Sequence, residues 1–135
     1  MNENSDKDGS GLVKAGKKVE EKVAKKVIDS PVAGSWYTAD GDALRRELRG
    51  YLDEADLSDA PRVGGRVAAL ISPHAGYRFS GRVEAYGYKT LEGADVRRII
   101  IMGPSHHVAL DGYALTDATH WRTPLGEVPI DQEAV

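Results

Sequence analysis

Three of the four histidines in this chain stand in two short loops that share a design. The first loop reads Ser72-Pro73-His74-Ala75-Gly76-Tyr77 and the second Gly103-Pro104-Ser105-His106-His107. Neutral imidazole is the commonest side-chain ligand for transition metals, and a pair from two loops supplies half of a usual site. Iron or copper then needs a third ligand, usually a carboxylate; Asp111, Asp117 and Asp131 follow the second loop at spacings that select none of them. His120, beside Trp121 in a polar stretch, reads as structural or exposed. Ser105 next to His106 is a poor nucleophile–base pair, because adjacent residues rarely face each other and no Gly-x-Ser-x-Gly elbow is present. Val63-Gly64-Gly65 precedes a strand-like run, the wrong side for a dinucleotide-binding loop.

The elements that must carry these loops follow from the apolar pattern. Arg66–Ser72 and Arg97–Met102 are continuous apolar runs, the second with three successive isoleucines, and each predicts a strand buried on both faces. Gly81–Leu91 between them predicts a helix, with Val83, Tyr86 and Thr90 along one side. Strand, helix, strand is a βαβ unit, so the two strands are expected to run parallel with a right-handed crossover. Both histidine loops then leave the same sheet edge, where open α/β folds bind ligands. Strands about 4.8 Å apart bring two imidazoles within reach of one ion. Pro73 and Pro104 stiffen the loops, and Gly76 and Gly103 permit turns a side chain would block.

An amphipathic helix is expected over Gly41–Ala55, with Leu44, Leu48, Tyr51, Leu52 and Ala55 on one face and Asp40 or Asp42 as cap. Tyr113–Leu115 and Val128–Ile130 are weaker strand candidates, and Asp131 reads as the N-cap of a further helix. Before residue 30 the basic residues are all lysine, and after it all arginine except Lys89. Residues 1–30 therefore read as a lysine-rich extension, mostly disordered or loosely helical, with Val19, Val23 and Val27 as a thin apolar stripe. Residues 31–135 read as the folded unit. The expected class is α/β, a βαβ-containing, largely parallel or mixed sheet flanked by helices.

Composition narrows the chemistry. The chain has 135 residues, enough for one domain burying roughly two-thirds of its unfolded surface. It has no cysteine, which excludes disulfides, thiolate nucleophiles and iron–sulfur clusters within this polypeptide. A net charge of −3 argues against nucleic acid as partner. The apolar runs fall far short of the about 20 residues a bilayer crossing needs, and the polar N-terminus lacks a signal-peptide core. The expectation is a cytoplasmic protein with no nucleic-acid or membrane partner.

Ala33-Gly34-Ser35-Trp36-Tyr37, Pro73–Gly81, Gly103-Pro104-Ser105-His106-His107 and Thr123-Pro124-Leu125-Gly126 occur in the order seen in the Memo family, also called AmmeMemoRadiSam system protein B. The chain resembles that family from about Ala33 to Glu133. The resemblance implies a fold similar to the class III (LigB-like) extradiol dioxygenases, with a metal at the strand ends. It implies His74 and His106 as metal ligands, Fe(II) or copper as the metal, and His107 as an acid–base or neighbouring group. Trp36, Tyr77 and Phe79 are implied to line the binding pocket; Phe79 stands where a tyrosine is usual, so that hydroxyl is missing. Family members are roughly twice as long and draw a cysteine ligand from their second half. The chain is thus expected to be the N-terminal half of an incomplete Memo-like fold, binding metal at low occupancy unless a complementary C-terminal half or another protein completes it. Three functions follow from the resemblance: a metal-dependent dioxygenase-like or redox protein when complete, a non-catalytic module for a small molecule or peptide, or a non-functional truncated product.

Overall fold

A computed structural model describes residues 24–60 and 65–134. Five elements follow in chain order: β1 (Val27–Asp29), α1 (Gly41–Glu54), α2 (Tyr77–Lys89), β2 (His120–Thr123) and β3 (Gly126–Pro129). The sheet has the order β1-β2-β3, with β1 parallel to β2 and β2 antiparallel to β3. The class is α/β with a mixed sheet. Among the described residues no helix is long and apolar enough to cross a membrane.

Helix α1 forms where its pattern predicts. Asp40 caps it, its Oδ1 accepting the Ala43 N–H at 2.6 Å, which satisfies one of the free amides of the first turn. Leu44 is buried on the inner face, and the helix ends at Ala55, whose N–H still donates to the Tyr51 carbonyl. Helix α2 begins at Tyr77, four residues ahead of the expected Gly81. Gly76 precedes it in extended conformation, and its carbonyl accepts the Phe79 N–H at 2.8 Å. Its buried residues are Ser80, Gly81, Glu84 and Ala85, whereas Val83 and Tyr86, on the expected apolar side, are exposed. Close packing selects the small residues: a Cβ on Gly81 would lie 2.7 Å from the Tyr51 ring. A larger face could not approach α1 so closely.

The expected βαβ unit does not form. Neither Arg66–Ser72 nor Arg97–Met102 joins a ladder among the described residues, and Tyr113–Leu115 is not a strand either. Ile71 is 98% exposed and Ile100 83%. A strand buried on both faces needs a hydrogen-bonded neighbour and a layer over each face, and no described element supplies these to either run. Leu70, still 36% exposed, lies against Gly87 of α2.

The sheet uses residues from the lysine-rich segment instead. Val27, the last member of the expected helical stripe, lies in β1 opposite His120; Val19 and Val23 lie outside the described residues. The Lys26 carbonyl accepts the Thr119 and His120 N–H groups, and Ser30 N–H donates to the Arg122 carbonyl. Parallel pairing with a strand so distant in sequence overrides the weak helical spacing. The predicted strand at Val128–Ile130 is β3, shifted toward Gly126, which takes φ +130° in the tight turn after Thr123-Pro124-Leu125. Beyond it, Asp131 Oδ1 accepts the Glu133 N–H at 3.1 Å, capping a single turn. The hairpin meets α1 at one point: a Cβ on Gly41 would lie 2.4 Å from the Pro124 carbonyl oxygen.

Candidate functional site

The two histidine loops meet although the strands expected to deliver them are absent. The His74 and His106 rings stack with centroids 5.3 Å apart and planes 19° from parallel. Trp36 lies edge-on to His74 at 5.1 Å, and His107 lies edge-on to His106 at 6.4 Å. Trp36 is held by backbone: its carbonyl accepts the Tyr77 N–H at 2.9 Å, docking its loop on the start of α2. The loop itself is a tight turn, with Ser35 and Trp36 N–H groups both donating to the Val32 carbonyl and Gly34 at φ +85°. Gly76 is required here, because a Cβ would stand 3.0 Å from the Trp36 carbonyl oxygen and 3.1 Å from its Cα. Ser105 donates to the Val108 carbonyl at 2.6 Å, so its hydroxyl closes its own loop. Just ahead of His74, the buried Ser72 Oγ has no hydrogen-bond partner among the described residues.

The other expected pocket residues part company with the histidines. Tyr77 stacks on Tyr37 at 5.4 Å, so neighbouring residues of one loop serve different places: Trp36 meets His74, and Tyr37 meets Tyr77. Phe79 is 74% exposed, and its ring lies under the Arg78 guanidinium at 4.5 Å. The carboxylates considered as third ligands are engaged or apart. Asp117 pairs with Lys26, and Asp131 accepts from Arg98 Nε at 2.7 Å. These cations hold both carboxyls below the usual carboxylate range. Asp111 is exposed.

The model of the Memo-like protein family matches residues 29–135. The chain belongs to the Memo-like protein family. It is 46% identical over 101 residues to Protein MEMO1 of Danio rerio, covering 75% of this chain and 32% of that protein. Over the same length it is 46% identical to Protein memo-1 homolog of Caenorhabditis elegans, with 75% and 27% covered, and 44% identical to Protein MEMO1 of Homo sapiens, with 75% and 32% covered. The chain therefore spans about a third of the length of the curated relatives it matches.

Two imidazoles from separate loops hold one metal ion only where their separation and the remaining donors fit it. An imidazole bound at about 2.1 Å sets its ring centre roughly 3.2 Å from the ion, so two rings on one ion stand roughly 4.5–5.5 Å apart. The His74–His106 separation of 5.3 Å lies within that span. The donor set is nevertheless short. Among the described residues no group of three or more His, Asp or Glu comes together to hold an ion. Two imidazoles alone do not close a site.

A second concave region escaped the sequence reading. The cleft between α1 and α2, about 230 Å³, is bounded by Leu48, Tyr51, Tyr77, Glu84 and Tyr88. The signal was available in Ser80 and Glu84, one helical turn apart with Gly81 and Ala85 beside them. The apolar spacing of Val83, Tyr86 and Thr90 instead marks a different side of the helix, which the structure exposes at Val83 and Tyr86.

Proposed function

We propose that this Memo-family chain contributes the histidine part of a non-haem metal site related to that of the class III extradiol dioxygenases. His74 and His106 would be the ligands for Fe(II) or copper, and Trp36 the wall beside them. His107 would hold or move a proton at the rim. The observation that carries the reading is the 5.3 Å stack of His74 on His106, from separate loops and flanked edge-on by Trp36. The Ser72 hydroxyl at the start of the His74 loop, a buried polar group with no hydrogen-bond partner among the described residues, supports it. When bound, such an ion supplies Lewis-acid and redox chemistry that imidazoles lack. The remaining donors would come from a complementary C-terminal segment or another protein, which would also cover Ile71 and Ile99–Met102. The reading places the protein in the cytoplasm.

A second reading, capture of a small molecule or peptide without turnover, is favoured by the missing third donor among the described residues. Titration of the chain with Fe(II), Cu(II) and the reporter Co(II) separates the two. The metal reading expects His74→Ala and His106→Ala each to weaken binding at least roughly tenfold, with His107→Ala changing it little. Adding a complementary C-terminal segment should tighten binding in the parent chain alone. Equal affinity in all variants, with or without that segment, overturns the metal reading.

A further inference from the structure

The α1–α2 cleft holds a carboxylate with no ion pair. Glu84 is 8% exposed, and its one described hydrogen bond comes from the Ser80 hydroxyl. Its neighbouring cations are turned elsewhere: Arg82 pairs with Glu54, while the Lys89 ammonium donates to the Leu52 carbonyl at 3.0 Å and pairs with Glu92 at 3.2 Å. No ion pair reaches Glu84 among the described residues. A buried carboxylate without a counter-charge is costly, and a cleft that keeps one is complementary to a cation. A second acid reinforces the sign, since Glu47 accepts from the Tyr51 hydroxyl at 2.9 Å.

The walls say which cation. Tyr51, Tyr77 and Tyr88 line the space with Leu48, so it is aromatic and apolar. Burial first, then the Glu84 charge, pushes the Tyr77 phenol up from its ordinary value; burial and Glu47 do the same to Tyr51. Both rings stay neutral, and neutral aromatic faces attract cations. One carboxylate and one hydroxyl are too few oxygens for Ca²⁺ or Mg²⁺. Apolar walls disfavour a strongly hydrated ammonium, and about 230 Å³ is below the size of drug-sized ligand pockets. We propose that the α1–α2 cleft binds a small quaternary ammonium compound, with Glu84 as counter-charge and the tyrosine rings as walls. The site is independent of the histidines and of the metal reading.

Choline, titrated into the full chain and followed by the tyrosine ring resonances, tests this against its neutral isostere 3,3-dimethylbutan-1-ol. Choline should saturate the cleft and bind on the order of tenfold tighter than the isostere. Glu84→Gln, which keeps the shape and the Ser80 hydrogen bond, should bring choline down to the isostere's affinity. Equal binding of the two compounds by the parent chain, no saturation, or unchanged choline affinity in Glu84→Gln would overturn the proposal. The parent-chain comparison stands even if the variant fails to fold.

Discussion

Leu44 in the amphipathic helix α1 is 3% exposed, whereas Ile71, in a more continuously apolar run, is 98% exposed. The helices and the hairpin find their partners nearby: α2 lies against α1, β3 folds back on β2 through a tight turn, and Asp40 closes the first turn of α1. The histidine-bearing runs depend on neighbours they do not have among the described residues. Helical hydrogen bonds are satisfied within the segment, while a buried strand satisfies none of its own. Apolar sequence is thus enough to make a strand candidate and never enough to make a strand.

The contrast can be broken first at the seam between α1 and the hairpin. Gly41→Ala puts a Cβ against the backbone carbonyl of Pro124, 2.4 Å away, and should cost about 3 kcal/mol in urea unfolding. Gly50→Ala in the same helix has nothing within 4 Å of its Cβ and should instead stabilise by about 0.5–1 kcal/mol. If both glycines respond alike, the seam does not exist. Gly76→Ala should cost about 1–2 kcal/mol by pushing Trp36 off the start of α2, and should shift tryptophan emission as the indole leaves His74.

A smaller effect probes how the extended runs are tied to the sheet. Arg98, near the start of the Arg97–Met102 run, holds Asp131 after β3, and it depresses that carboxyl in the folded state. The stabilisation is therefore present above the unfolded value of about pH 4 and is lost as pH falls through the lower folded value. Unfolding midpoints at pH 6 and pH 3 should differ less in Asp131→Asn than in the parent chain. The smallest change is expected at Phe79: its ring is largely in solvent, so Phe79→Ala should alter stability by under about 0.5 kcal/mol and leave the Trp36 emission unchanged.

Much of the site was legible in residues 72–77 and 103–107. A proline shortly before each histidine marks the two loops locally, whereas the meeting of their imidazoles at 5.3 Å is a tertiary contact made without the expected strands. The start of α2 was harder to see, because Tyr77–Ser80 follow an uncapped Gly76 and carry no N-cap signal. β1 was hidden by the lysines around it. Its pairing with β2 joins residues more than ninety positions apart, with the neighbouring Lys26 N–H donating to Thr119 Oγ1 at 3.0 Å, and no local pattern encodes such a partner.

The sequence by itself determined the two helices, the two histidine-bearing loops and membership of the Memo-like family. Those rest on periodicity, caps, turn residues and motifs, all read within a few positions of one another. Only the tertiary structure decided that Val27–Asp29 joins the sheet, that Arg66–Ser72 and Arg97–Met102 stay unpaired, and that Tyr77 serves the α1–α2 cleft beside Glu84. Each of these is a choice of partner, and partners are set by the contacts available across the whole chain.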